Sequence, residues 1–431
     1  MFSSKKASQR ELMGWCLFDF ANSAFATVIV TVVYSVYFVN VVAAGRPDAP
    51  FLWSIGTFIS YGFVFLVSPL LGAMADYSAG KKRFLFVSYL ACVIFTALLF
   101  FVGQGDILAG LALFILANIA FAIGENFISS FLPEIAAPEE MGRISGYGWA
   151  IGYFGGLFSL VLCYPFISAG LDAAHAGRIR WVYPIIAGFF ALAGIPTFLW
   201  LRSRQKAQSL SPGDTYIGIG FRRIFSTLRL LKRHSELAKF MVVFLVFNCG
   251  TAAGIVFASI YAQQEGGLNS AQLMLFFIEA QLAAAVGAFL FGHFQDRWGT
   301  RPALQAILLL WTLTILGLYW LPGSGWFILL GNLLGLGMGS IQAASRALVG
   351  MLSPVEKSAE FFGFWGLFWK LSNALGPLLF GWIAYRSGSL RSALLGVLVF
   401  FVAGFFGMFL VDEKRGREQA LLDHPEDSRL G

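Results

Sequence analysis

Charge is scarce in this 431-residue chain. Only 12% of its residues are Asp, Glu, Lys or Arg, about half the 25% of a typical soluble domain. A water-soluble enzyme is thereby excluded as the main reading. Disorder is excluded too, because it needs low hydrophobicity and high charge, whereas 58% of this chain is hydrophobic and its mean hydropathy is +0.74. Cysteine is sparser still, with four residues. Cys16, Cys92, Cys163 and Cys249 lie in apolar stretches without a CxxC partner, which indicates neither a disulfide framework nor a zinc site. The four histidines are scattered, and HExxH and GxxxxGK[ST] are missing. The expectation is no metal, no cofactor and no direct ATP drive. The chain reads as a membrane protein and not as an enzyme.

What is present is a series of long apolar runs. A spanning helix takes about 20 mostly apolar residues. Seven uncharged runs meet this: 20–45, 49–75, 84–105, 144–171, 181–201, 240–264 and 392–411. The run 302–345 is interrupted by Leu321-Pro-Gly-Ser-Gly325, a turn signal, and counts as two spans. Three more, 107–131, 271–295 and 361–385, each carry one internal charge: Glu125, Glu279 and Lys370. The prediction is an all-α membrane protein with twelve transmembrane helices, since the runs lack strand alternation and exceed barrel-strand length. The first span reads as uncleaved, being too long for a signal peptide.

Lys and Arg set the orientation. With both termini cytoplasmic, 24 of the 30 basic residues fall on the inside, five on the outside, and Lys370 within a span. This explains the net charge of +7 as topology and contact with anionic lipid, with no nucleic-acid partner. The expected partners are the bilayer and a small-molecule substrate, with protons as a candidate coupling ion and the chain acting as a monomer. A bacterial inner membrane is the expected location.

The longest inside loop divides the chain into two halves. The expected organisation is a six-helix bundle at 1–201, a linker at 202–236, a second bundle at 237–411 and a cytoplasmic tail at 412–431. Phe221, Ile224, Phe225, Leu228 and Leu231 recur at helical spacing among basic residues, predicting an amphipathic surface helix in the linker, with a flexible basic linker as the alternative. The halves repeat. Gly72-Ala-Met-Ala-Asp76 followed by Lys81-Lys82-Arg83 is echoed by Gly292-His-Phe-Gln-Asp296-Arg297-Trp-Gly-Thr-Arg301, with the two Asp residues 220 apart. Paired bundles with a central inside linker are a transporter architecture.

These loops resemble the signature loop of the major facilitator superfamily, G-x-x-x-D-R-x-G-R-[RK]. The first copy departs from it, with Tyr77 for Arg and one extra residue before Gly80. The resemblance implies two pseudo-symmetric six-helix bundles and alternating access around a site lined by helices 1, 4, 7 and 10. It also implies that Gly72, Asp76, Lys81, Arg143, Gly292, Asp296, Arg297 and Arg301 take part in gating. Asp76 would brace the start of helix 11, and Asp296 the start of helix 5. Three further segments narrow the match: Trp15-Cys-Leu-Phe-Asp19-Phe-Ala-Asn22-Ser23, Phe131-Leu-Pro-Glu134 continuing to Arg143-Ile-Ser-Gly-Tyr-Gly-Trp149, and Gln342-Ala-Ala-Ser-Arg346 continuing to Glu360-Phe-Phe-Gly363. Together they resemble the vacuole-effluxer branch, the group of the fungal autophagy-related amino-acid exporter. The resemblance implies transport of an amino-acid-like solute.

Ionisable groups at bilayer depth cost about 2.5–3.5 kcal/mol on insertion scales and are functional candidates by default. Asp19 shares a helix face with Asn22 and Ser23, and reads either as a proton- or amine-binding carboxylate or as a structural anchor. Glu125 shares a face with Asn118. It reads as a proton site or as a fixed ion pair with Arg143 or Arg346. Glu279 and Lys370 suggest a pair, although the spans place them at different depths. Lys370 alternatively serves a substrate carboxylate or snorkels as a structural cation. Asn373 follows it along the same face. Softer polar candidates are Trp149, Tyr153, Asn248, Asn332, Gln342 and Arg346. Gly152/Gly156 and Gly335/Gly339 read as helix-packing contacts. The predicted function is secondary active transport of a small polar organic solute. A lipid-handling or non-transporting sensor protein on the same scaffold is the alternative.

Overall fold

The computed structural model describes residues 7–78, 80–136, 141–204, 215, 218, 234–321, 324–353 and 358–422. Its regular elements are all helical. The spans are α1 (Gln9–Val42), α2 (Ala49–Tyr77), α3 (Lys81–Leu98), α4 (Ile107–Ser129), α5 (Met141–Ile167) and α6 (Val182–Ala193, resumed at Ile195–Trp200). The second set is α7 (Ser235–Gln264), α8 (Ser270–Trp298), α9 (Thr300–Trp320), α10 (Ser324–Leu352), α11 (Ser358–Ser387) and α12 (Leu390–Gly407). A last helix, α13 (Glu413–Leu422), follows them. Eleven of the spans are long and apolar enough to cross a membrane. The other is α11, where Lys370, Asn373 and Pro377 lower the hydropathy of a helix 30 residues long. Large apolar side chains lie exposed along the helix flanks, Leu66, Val87, Leu108 and Leu199 among them. That pattern suits a lipid solvent and not water. The molecule is a multi-pass membrane protein.

The helix starts differ from the uncharged runs. α1 begins at Gln9, not near Phe20, because Ser8 and Glu11 form a capping box, which satisfies exposed backbone N–H groups and lets charged residues open the helix. α1 is also irregular. Phe25–Val32 and Phe38–Val42 are wound as π-helix. A β-branched run, Thr27-Val-Ile-Val-Thr-Val-Val33, crowds an α-helical turn, and the wider π-turn spreads those side chains. The predicted linker helix lies outside the described residues.

Two compact units make up the chain. Unit 1 comprises Met1–Gly220 with Val256–Ile278, and unit 2 comprises Phe221–Ile255 with Glu279–Gly431. α7 and α8 are therefore shared: the last turns of α7 and the first turns of α8 go with unit 1. Within unit 1, Phe25 stacks on Phe121 at 4.9 Å, and Trp15 Nε1 donates to the Ile128 carbonyl at 2.8 Å. These contacts fix the antiparallel register of α1 and α4. Within unit 2, Trp311 packs on Phe401 at 4.7 Å, holding α9 to α12.

Candidate functional site

Unit 1 gathers polar side chains from α1, α2 and α4. Asp19 is pinned from α5. A Cβ on Gly148 would strike Asp19 Oδ2 and lie 2.7 Å from the Trp15 ring, one on Gly152 would lie 2.9 Å from Ser23 Oγ, and one on Gly155 would strike the Phe20 carbonyl. Small residues let two backbones approach this closely. The tight face is thus Gly148, Gly152 and Gly155. Trp149 and Tyr153 flank it, their rings 6.0 Å apart.

Asn22 is 6% exposed, and its Oδ1 makes no hydrogen bond among the described residues. Phe25 and Phe121 mark one level of the bundle. One turn back along α1 lies Asn22, and one turn on along α4 lies Glu125, so antiparallel register brings both to the next level. Asn118 is fully buried on α4, and among the described residues neither polar atom of its amide makes a well-formed hydrogen bond. Tyr61 of α2 stands within electrostatic reach of Glu125 and beside Asn118. Leaving a buried amide under-bonded costs about 1–3 kcal/mol. Such a cost marks a place reserved for another polar group.

Unit 2 gathers amides and cations. Asn248 Nδ2 donates to Ser372 Oγ at 2.5 Å, and Gln342 Nε2 reaches Asn248 Oδ1 at 3.5 Å. These bonds join α7, α11 and α10. One turn beyond Gln342, the Arg346 guanidinium lies over Trp365 at 5.6 Å. Lys370 is 4% exposed, with its ammonium over Trp369 at 4.5 Å. Asn373 donates to the Trp369 carbonyl at 2.7 Å. Glu279 is held elsewhere: its Oε2 accepts from Asn332 Nδ2 at 3.0 Å. Close packing of α8 on α10 brings those two together. A Cβ on Gly335 would lie 2.7 Å from the Ala280 carbonyl, and one on Gly339 would strike the Ala284 carbonyl.

The gating candidates are placed as follows. Lys81 Nζ pairs with Glu134 Oε1 at 3.0 Å, both largely buried. Gly72 and Lys81 line a cavity of about 130 Å³ with Ser68 and Asn126, themselves hydrogen-bonded at 2.8 Å. Arg301 donates its backbone N–H to Glu413 at 3.1 Å, and its guanidinium lies over Phe409 at 5.4 Å. Arg297 is exposed at the end of α8. The side chains of Asp76, Arg143 and Asp296 lie outside the described residues, as does the bracing predicted for the two aspartates, and Gly292 lies within α8.

Several participants escaped the sequence reading. Glu11 is 6% exposed and accepts from Arg204 Nη2 at 2.9 Å. Glu134 accepts from the Arg204 backbone N–H at 3.0 Å. Glu236, fully buried, receives Lys239 at 2.8 Å and the Asp412 N–H at 2.9 Å. Ser8-x-x-Glu11 is a capping-box signature and was there to be found. Tyr61 and Ser372 left no signal, being single hydroxyls in apolar runs. No group of three or more His, Cys, Asp or Glu suited to a metal occurs among the described residues.

The family profile described as "Vacuole effluxer Atg22 like" matches residues 7–421. The chain is 24% identical over 412 residues to the "Uncharacterized MFS-type transporter YxiO" of Bacillus subtilis (strain 168), covering 93% of this chain and 94% of that protein. It is 26% identical over 328 residues to "Autophagy-related protein 22-1" of Aspergillus fumigatus, covering 69% of this chain and 53% of the relative. It thus spans about half the length of this fungal relative. In fold it is similar to a bacterial homologue of the human lysosomal transporter Spinster, solved inward-facing and unoccupied, with TM-score 0.69, 14% identity and coverage of 98% and 99%. It is also similar to the major facilitator transporter FucP in its outward conformation, with TM-score 0.63, 14% identity and coverage of 94% and 98%.

Proposed function

We propose, since the chain belongs to the vacuole effluxer Atg22-like family and has the major facilitator fold, that it is a secondary active transporter of an amino-acid-like solute. It works by alternating access in a bacterial inner membrane, as a monomer, with both termini in the cytoplasm. The carrying observation is the sorting of charge within the spans. Unit 1 presents the carboxylates Asp19 and Glu125 with the under-bonded amides of Asn22 and Asn118. Unit 2 presents the cations Arg346 and Lys370 with the amides Asn248 and Gln342, and its in-span carboxylate, Glu279, is engaged by Asn332. An amino acid carries an ammonium and a carboxylate, the complement of each set. Charge-assisted hydrogen bonds are about twice as strong as neutral ones, which favours a solute that itself carries charged groups.

Proton coupling runs through Glu125, with Asp19 as the second carboxylate. An ionisable group at bilayer depth is costly to insert, which marks both carboxylates as coupling candidates. Uptake of labelled amino acids into proteoliposomes, with and without an imposed pH gradient, tests both statements. Uptake driven by the gradient in the parent and absent in Glu125→Gln is expected. Failure of every amino acid to be carried removes the substrate class. Full gradient-driven uptake in both Asp19→Asn and Glu125→Gln removes the coupling.

A further inference from the structure

The latter half of α1 is tied to the latter half of α7 by neutral hydrogen bonds. The carbonyl of Thr31, at the end of the first π-helical stretch, accepts from Ser35 Oγ at 2.7 Å and from Ser259 Oγ. Ser35 and Ser259 hydroxyls are 3.0 Å apart, and both residues are fully buried. Further along, Asn40 Nδ2 donates to Gln263 Oε1 at 3.0 Å. Both helices belong here to one compact unit, which takes α7 only from Val256 onward. Directly beside the amide pair opens a cavity of about 600 Å³. Asn40, Gln263, Gln264, Ser168 and Asp172 line it. Among the described residues Asp172 is its one charged lining residue, and it is bonded to His175 Nδ1 at 2.8 Å.

We propose that this cavity is a docking vestibule for a polar solute of no net charge, and that the Asn40–Gln263 and Ser35–Ser259–Thr31 bonds are the latch beneath it. The proposal rests on the transport reading above, which makes this end of the protein extracytoplasmic. The volume suits a small organic ligand. With its single carboxylate already engaged, the lining offers amide and hydroxyl groups and little field to steer a net anion or cation. A solute that offers a donor and an acceptor replaces the amide–amide bond by two bonds of the same kind. The latch is built to be exchanged. Thr31 keeps its bond from Ser35 when Ser259 leaves, so the π-helical carbonyl is never stranded. Neutral hydrogen bonds trade with water at small net change, whereas a buried ion pair would resist separation.

Two measurements test this. In proteoliposomes of defined orientation, Asn40→Ala and Gln263→Ala are expected to raise KM at least fivefold for solute presented on the side opposite the termini. KM from the other side should stay within twofold. Equal changes on both sides, or none, overturn the vestibule. The second measurement needs no transported solute, and so separates failure of the latch from failure of the transport reading. A cysteine placed at buried Val256 is followed by maleimide labelling from the side opposite the termini. Ser259→Ala, which removes one hydroxyl, should speed labelling at least fivefold. A Ser35→Cys/Ser259→Cys pair, oxidised to the disulfide, should abolish labelling and recover it on reduction. Unchanged labelling in either variant overturns the latch.

Discussion

Glu236, buried at the start of α7, accepts the backbone N–H of Asp412 at 2.9 Å just after α12 ends. The first and last spans of unit 2 are therefore closed on one another by a single carboxylate. Lys239 and Arg415 neutralise it at 2.8 and 3.8 Å. Unit 1 repeats the device: Glu11 at the start of α1 receives Arg204, four residues after α6 ends at Trp200. The two glutamates are 225 residues apart, near the 220 that separates the signature-loop aspartates. The repeat thus extends to how each bundle fastens its ends. Replacing Glu236 by Ala leaves the Asp412 N–H unpaired and is expected to cost about 1–3 kcal/mol, read as a lower Tm of the purified protein in detergent. Glu236→Gln, which keeps an acceptor oxygen, should lose less. Equal melting of all three proteins would show the closure to be inert.

Asn118 separates function from stability. Its amide is fully buried and poorly bonded, so leucine, similar in size and apolar, relieves a desolvation cost of about 1–3 kcal/mol. Asn118→Leu is expected to raise Tm while reducing transport at least tenfold. The opposite result, lower Tm with transport intact, would make Asn118 a packing residue only. Opposed effects of this kind are the mark of an active site held at a cost to folding.

The signals that survived in the sequence were those of composition and period. Long apolar runs gave the spans, and the Asp-centred loops gave the repeat and the fold. Glu125 and Lys370 stood out because a charge within an apolar run is conspicuous. Glu11 and Glu236 did not, because each sits among other charges at a helix start and nothing in the chain announces burial. Partnerships were least legible. The Glu279–Lys370 pairing suggested by charge gives way to Glu279–Asn332, since the Gly335 and Gly339 contacts press α10 onto α8. The π-helical turns of α1 left no trace in hydropathy, although they create the carbonyl that Ser259 uses.

Gly155 and Gly339 make the same contact in different units, each meeting a carbonyl of the neighbouring helix where a Cβ would stand. Alanine at either must push two helices apart. Overpacking of this kind costs about 1–3 kcal/mol. Gly155→Ala is further expected to depress transport, because it shifts α5 against the segment that carries Asp19. Gly146, whose Cβ would meet open space, is the control: Gly146→Ala should leave both transport and Tm within error of the parent.

Acid should release α13 late. The Asp412 carboxylate is held below the ordinary aspartate range, first by the backbone N–H of Arg415, then by that of Lys414. A depressed folded value means that the stabilisation is complete above the unfolded value, near 3.9. It is lost as pH falls through the lower folded one. α13 is therefore expected to stay docked from neutral pH to about 4. Asp412→Asn should remove the pH dependence while keeping part of the cap. Protease protection of the 413–422 segment across pH reads both effects.

The Asn248–Ser372–Gln342 group allows a structural hydroxyl to be told from a recognising amide. Ser372 is fully buried, and its Oγ accepts from Asn248 while donating to the Trp369 carbonyl at 2.8 Å. Ser372→Ala strips Asn248 of that acceptor inside a buried space, which costs about 1–3 kcal/mol, and frees the amide to turn. Gln342 presents a different case, since its Oε1 has no hydrogen-bond partner among the described residues. An acceptor left open in this way is available to a hydroxyl or neutral N–H of a solute, whereas Ser372 is already engaged by protein. Ser372→Ala is thus expected to lower Tm with a modest effect on transport. Gln342→Leu should raise KM at least tenfold with little change in Tm. The reverse pattern would move the recognising group from α10 to α11.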